Sequence, residues 1–250
     1  MSAFLEVEDL AKDFGGIHAV DGLSMALDER ELLCVIGPNG CGKTTLFNLI
    51  TGEFPPSAGR LSFRGRELAG LRPFEISRLG IGRKFQVPAV YLALTVRENL
   101  TVPLFARAGR HGLRGLLARD QRGGEAARVL DLVRLADQAE VPAGELSHGQ
   151  KQWLEIGLLL ASRPRLMLLD EPTAGMTLGE TEATAELILQ IHEATETAIV
   201  VIEHDMGFVR RLGCPVAVML QGRILCRGSY EEVSADPLVR EAYLGGPAPC

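Results

Sequence analysis

Apolar and polar residues alternate along Phe4 to Val7 and along Leu23 to Leu27, and a short apolar run recurs around Leu61 to Phe63. A period of two fits half-buried strands, so the front of the chain is expected to carry a small antiparallel sheet. Leu32 to Ile36 is apolar throughout, and a helix-like stretch ends at Gly52. Further on the period lengthens: Ala126, Val129, Leu130, Leu132, Val133 and Leu135 recur at helical intervals. A second helical pattern fills Gly149 to Ala161, and Pro164 stops it. Three apolar runs follow, Leu166 to Leu169, Ala198 to Ile202 and Pro215 to Leu220, with an amphipathic helix at Ala183 to Ala194 between the first two. Apolar strands alternating with helices predict an α/β fold with a parallel sheet. Arg107 to Gly124 is rich in Arg and Gly and reads as an exposed connection. Its Arg107, Arg110, Arg114, Arg119 and Arg122 suit a solvated surface, or contact with anionic lipid or a partner.

Composition narrows the function classes. The chain has 250 residues, 46% of them hydrophobic, enough for one large core with a smaller subdomain. A net charge of −6 lacks the basic footprint of a nucleic-acid binder, so no nucleic-acid partner is expected. The 5 cysteines are scattered without CxxC spacing, which argues against a zinc site or a disulfide framework and for reducing cytosol. No run approaches the roughly 20 apolar residues that span a bilayer, and Met1 to Leu10 is unlike a signal peptide.

The candidate chemistry begins at Gly37-Pro38-Asn39-Gly40-Cys41-Gly42-Lys43-Thr44, which fits GxxxxGK[ST] between an apolar strand and a helix start. A Gly-rich turn there aims backbone N–H groups and the positive end of the helix dipole at one point, where a polyphosphate is the expected occupant. Lys43 can reach the outer phosphates, and the Thr44 hydroxyl is placed to ligate Mg²⁺. The second cluster is the strand Leu166 to Leu169 ending in Asp170 and Glu171. Adjacent carboxylates at the end of a buried strand need a cation or hydrogen bonds. Because successive side chains diverge, Asp170 can hold the metal while Glu171 polarises an attacking water. The third cluster is Leu146-Ser147-His148-Gly149-Gln150. Ser147 and Gln150 have capping-box spacing, and a Ser followed by Gly at a helix start also suits an anion.

With these motifs in order, the chain resembles the ATP-binding cassette family over nearly its whole length. Gly37 to Thr45 resembles the Walker A loop, Phe85-Gln86 the Q-loop, Leu146 to Gln150 the signature, Leu166 to Glu171 Walker B and His204 the switch histidine. The resemblance implies a P-loop, RecA-like core, 1–87 and 159–250 with an antiparallel β subdomain, and a helical signature subdomain, 88–158. It implies a head-to-tail pair of cassettes, in which Ser147, Gly149 and Gln150 of one cover the γ-phosphate held by the other's Walker A loop. By the same resemblance Gln86 senses Mg²⁺ and the attacking water, His204 contacts the γ-phosphate, and Phe14 matches the adenine-stacking aromatic. A core position is the competing reading for Phe14.

Two departures stand out. His148 replaces the commonest signature glycine and is expected to be a surface ring without a catalytic role. Thr177 ends Ala174-Gly175-Met176-Thr177, the D-loop segment, where an acid is usual. Cys41, if exposed at the helix end with its thiol made more acidic, would react with maleimide unless ATP protects it.

Among cassette proteins, a transporter subunit is favoured over a soluble cassette acting on nucleic acid or ribosomes, because this chain has room for one cassette only. Gly80 to Gln86, Leu146 to Gly157, Ala174 to Thr177, Glu203-His204-Asp205-Met206 and the ending Val239 to Gly245 resemble the urea branch of the branched-chain amino acid transporter group. Branched-chain amino acids or short amides are the alternative substrates. The implied partners are a second ATPase subunit, two transmembrane permeases and a periplasmic or extracellular binding protein, with the chain on the cytoplasmic face of the inner membrane. Val90, Tyr91 and Leu92 are candidates for a groove that receives a permease's coupling helix, or for burial in the helical subdomain.

Overall fold

Strands β1 (Leu5–Phe14) and β2 (Ile17–Leu27) pair antiparallel from Leu5 opposite Leu27 to Phe14 opposite Ile17, as their alternation requires. The computed structural model describes residues 3–84, 90–108 and 119–241. β3 (Leu32–Ile36) runs into α1 (Lys43–Ile50), and β4 (Ala58–Phe63) and β5 (Arg66–Glu67) complete a four-stranded antiparallel sheet in the order β2-β1-β4-β5. Next come α2 (Pro73–Leu79), β6 (Ile81–Lys84), α3 (Val96–Ala108), α4 (Arg119–Leu132) and α5 (His148–Ala161). The last part comprises β7 (Leu166–Asp170), α6 (Leu178–Ala194), β8 (Ala198–Ile202), α7 (Met206–Leu212), β9 (Val216–Leu220), β10 (Arg223–Gly228), α8 (Tyr230–Ala235) and α9 (Pro237–Val239).

The second sheet has six strands in the order β10-β9-β3-β8-β7-β6, parallel except for β10, which pairs antiparallel with β9. The expected parallel sheet is therefore present, with an antiparallel edge. Its strands are apolar throughout because both faces are covered. Leu32, Cys34 and Ile36 of β3 pack with residues of α3, α5 and α6, while Leu33 and Val35 pack with α1 and the antiparallel sheet.

Several boundaries differ from the sequence expectation. Arg107 to Gly124 is not a plain connection: α3 continues to Ala108 and α4 starts at Arg119, while 109–118 lie outside the described residues. Arg is a good helix former, and Gly123 and Gly124 face open space, so neither stops the helix. The side chains of Arg107, Arg110, Arg114, Arg119 and Arg122 lie outside the described residues. α6 begins five residues before Ala183, at Leu178, because Thr177 accepts from the Glu180 N–H and Glu180 accepts from the Thr177 N–H, a capping box. β6 and β10 were not expected, since their Gly, Arg and Lys residues hide the apolar pattern.

Candidate nucleotide-binding site

The parallel register sets the site. Val35 of β3 lies opposite Ile202 of β8, and Ile202 lies opposite Asp170 of β7. The segments leaving these three strands therefore emerge at one edge of the sheet, the usual place for ligands in an open α/β fold. They carry the Gly37–Lys43 turn, Glu171, and the Glu203–His204 pair.

Gly37, Asn39, Gly40, Cys41 and Gly42 form the turn into α1, with Thr44 exposed and Thr45 half-buried in its first turn. Gly42 adopts a left-handed φ of 104°, and a Cβ there would meet the Ala19 carbonyl oxygen at 2.1 Å, so glycine alone fits. The Lys43 Nζ is buried and donates to the carbonyls of Gly37 at 2.7 Å and Pro38 at 3.0 Å. Its ammonium thus lies inside the loop that it closes. Cys41 departs from the exposed, acidified thiol considered above. It is buried, and burial raises its pKa, against the opposing pull of the Lys43 charge.

Asp170 is buried, and its Oδ2 accepts from Arg83 Nη2 at 2.8 Å. Its Oδ1 is also buried and has no hydrogen-bond partner among the described residues. Such an oxygen is costly unless a donor or a cation reaches it, which fits a magnesium ligand. Among the described residues no group of three or more His, Cys, Asp or Glu could hold a metal by itself. Magnesium at Asp170 would therefore depend on oxygens brought by a nucleotide.

Glu171 follows with a left-handed φ of 48°, and its N–H donates to the Ile202 carbonyl at 2.9 Å. For a non-glycine residue this backbone costs about 1–3 kcal/mol. His204 Nδ1 lies 3.9 Å from Glu171 Oε1 and 3.8 Å from Glu203 Oε2. Asp170, Glu171 and His204 thus come together. Gln86 and Phe85 lie outside the described residues.

Two organising residues escaped the sequence reading. Buried Glu203 accepts from the Thr173 N–H at 3.0 Å, the Thr173 hydroxyl at 2.6 Å and the His204 N–H at 3.1 Å, so it ties the loop after β7 to the loop after β8. An acid directly after the apolar run Ala198 to Ile202 was its signal. Arg83, one of two adjacent cations in a Gly-rich segment, had none.

Ser147 caps α5: its Oγ accepts from the Gln150 N–H at 3.2 Å, and Gln150 Oε1 accepts from the Ser147 N–H at 2.9 Å. A Cβ at Gly149 would stand 2.6 Å from Glu180 Oε1, so the Glu180 carboxyl would have to move. Hydrogen bonds from Thr177, Gly149 and Ser147 hold the Glu180 carboxyl below its usual range, those of Thr177 being the strongest. The exposed His148 ring reaches the Ala174 carbonyl with Nε2 at 2.9 Å, so that nitrogen carries the proton. Thr177 is occupied as the cap of α6. The start of α5 and the segment before α6 are thereby joined twice.

Phe14 is half-exposed and stacks edge-on against Phe54 with ring centroids 5.4 Å apart, beside Lys12. It is a surface platform, not a core ring. A cavity of about 320 Å³ opens between α2, β6 and α5, lined among others by Ile76, Ile81, Glu155, Leu158 and Leu159. Val90, Tyr91 and Leu92 do not line it: Val90 packs on the core, and the other two are exposed.

The family described as ABC transporter matches residues 20–174, and the one described as Branched-chain amino acid ATP-binding cassette transporter matches residues 223–249. The high-affinity branched-chain amino acid transport ATP-binding protein LivG of Salmonella typhimurium is 38% identical, covering 96% of this chain and 97% of its own. BraF of Pseudomonas aeruginosa, of the same description, is 37% identical with the same coverage. Among solved structures, an ATP-binding cassette of an ABC transporter in its ADP conformation superposes with a TM-score of 0.83 at 30% identity, over 98% of this chain and 100% of that one. A nucleotide-free cassette gives a TM-score of 0.82 at 31% identity, with the same coverage. The chain accordingly belongs to the ABC transporter family and is an ATP-hydrolysing transporter subunit.

Proposed function

We propose that the chain powers a branched-chain amino acid importer by binding ATP between two cassettes and hydrolysing it. The observation that carries this reading is the gathering of Lys43, Asp170, Glu171 and His204 at one edge of the parallel sheet. The substrate class follows the names of the relatives described above, none of which is a urea transporter. Urea, the first expectation, gives way to the alternative on that ground.

ATP phosphates would lie in the turn formed by Gly37, Asn39, Gly40, Cys41 and Gly42, with Thr44 and Thr45 at the helix start and adenine against Phe14. A phosphate oxygen competes with two neutral carbonyls for the Lys43 ammonium, and the charge-assisted bond is the stronger. Thr44, Gln86 and Asp170 are the residues that would hold magnesium. When bound, that ion would supply positive charge against the negative charge developing on the phosphate oxygens. Glu171 takes the proton of the attacking water, Gln86 senses magnesium and that water, and His204 contacts the γ-phosphate.

Ser147, Gly149 and Gln150 of a second cassette, either another copy or a sibling, close the site. Two membrane permeases and a binding protein complete the importer, which places the chain on the cytoplasmic face of the membrane. No helix of the described residues is long and apolar enough to cross it. Nucleic acid has no part in this reading.

The decisive test is Glu171→Gln. The variant should bind ATP, accumulate as an ATP-dependent dimer in size exclusion, and turn over at least about a hundredfold more slowly than the parent. Parent-like turnover would remove Glu171 from the chemistry. Uptake of labelled leucine, against labelled urea, by the reconstituted complex decides the substrate.

A further inference from the structure

Arg83 is the second-to-last residue of β6, and its guanidinium lies between two parts of the site that the chain brings together from far apart. Nη2 donates to Asp170 Oδ2 at 2.8 Å, across 87 residues of sequence. Nη1 donates to Asn48 Oδ1 on α1, and the guanidinium carbon lies 5.5 Å from the centre of the Phe47 ring, also on α1. Both members of the Arg83–Asp170 pair are buried.

From this geometry we infer that Arg83 is a positioning residue for the magnesium ligand Asp170. The inference rests on the proposed nucleotide site. A planar guanidinium held by Asn48 and by the Phe47 face presents Nη2 to Asp170 Oδ2. Holding Oδ2 restrains the carboxylate and leaves Oδ1, which has no partner among the described residues, as the open ligand. The pair also compensates the buried carboxylate while no cation is present. Because Asn48 and Phe47 lie on the helix that the phosphate loop starts, Arg83 sets Asp170 relative to Thr44, the proposed ligand on α1. Partners behind a metal ligand typically change metal affinity about 10- to 100-fold when removed.

The test separates metal use from nucleotide grip. Binding of a fluorescent ATP analogue is measured in EDTA and then across a magnesium titration, and manganese replaces magnesium for electron paramagnetic resonance of the bound ion. Arg83→Met should keep its EDTA affinity within about twofold of the parent, yet need about tenfold more magnesium for half-maximal effect, with an altered manganese line shape. Asn48→Ala, which frees only one side of the guanidinium, and Arg83→Lys, which keeps the charge without the fork, should fall between parent and Arg83→Met.

A half-maximal magnesium concentration within about twofold of the parent in Arg83→Met overturns the inference. If Arg83→Met does not fold, parent-like magnesium dependence in both Asn48→Ala and Arg83→Lys overturns it equally. Lys43→Ala, expected to lose analogue binding with and without magnesium, tests the underlying site instead. A parent protein indifferent to magnesium would sink the site reading itself, whatever Arg83 does.

Discussion

Cys41 shows how a single side chain can contradict its motif. In the sequence it stands in the phosphate loop at the positive end of α1, where a thiol is often acidified. In the fold it turns into the core beside Leu46 and Met219, and desolvation outweighs the Lys43 charge. Cys214 is pushed up to about 11 by the same cause, and Cys34 is raised still more decisively by full burial. Since only the thiolate attacks maleimide, these three should react slowly in the native protein. Mass spectrometry after brief labelling at neutral pH should find half-buried Cys226 modified ahead of Cys34, Cys41 and Cys214. Fast labelling of Cys41 would show that the loop opens far more than this structure indicates. Lys43 and Asp170 were readable because each is a fixed step from an apolar strand. Glu203 stood at such a step too, but Arg83 did not, because its meaning lies in partners 35 and 87 residues away.

At the scale of elements, short strands and helix starts carry more of the site than the long helices do. β6 alternates Arg83 and Lys84 to opposite sides. Arg83 meets α1 and β7, while buried Lys84 pairs with Glu155 of α5 at 3.2 Å. Burial raises the Glu155 carboxyl, against the pull of Lys84. One four-residue strand thus contacts both β7, which carries Asp170, and α5. The apolar period could not reveal it, since two of its residues are charged and one is glycine. The starts of α5 and α6 were half legible: the Ser147–Gln150 box followed from spacing, whereas the Glu180 link between the two helices is tertiary. Glu180 has a lowered pKa, so its contribution is fully present above the ordinary value of 4.5 and is lost as pH falls through the lower folded value. Glu180→Gln should therefore melt below the parent at neutral pH, with the two curves converging only under acid conditions below pH 4.5. A constant difference down to strong acid would mean that the carboxylate charge is not what joins the helices.

Over the whole molecule, the phosphate loop and the signature helix belong to different packing regions. α1 packs against the antiparallel sheet on one face of the central sheet, whereas α5 packs with α3 and α4 on the other. On the proposed reading, a single cassette grips nucleotide through Lys43 without Ser147, and Ser147 should matter only once a second cassette covers the phosphate. Ligand linkage turns this division into a thermal measurement. Saturating ATP and magnesium at about 100 times Kd would add about 2.7 kcal/mol to stability. For a chain of this size that corresponds to a rise of roughly 5–10 °C in Tm. Lys43→Ala should lose most of that rise together with turnover. Ser147→Ala should melt lower without nucleotide, since losing a helix cap costs about 1 kcal/mol. It should nevertheless keep the nucleotide-induced rise when measured dilute, while its turnover falls. If Ser147→Ala abolished the rise in dilute protein, Ser147 would be serving the nucleotide of its own chain, and the head-to-tail arrangement would have to be abandoned.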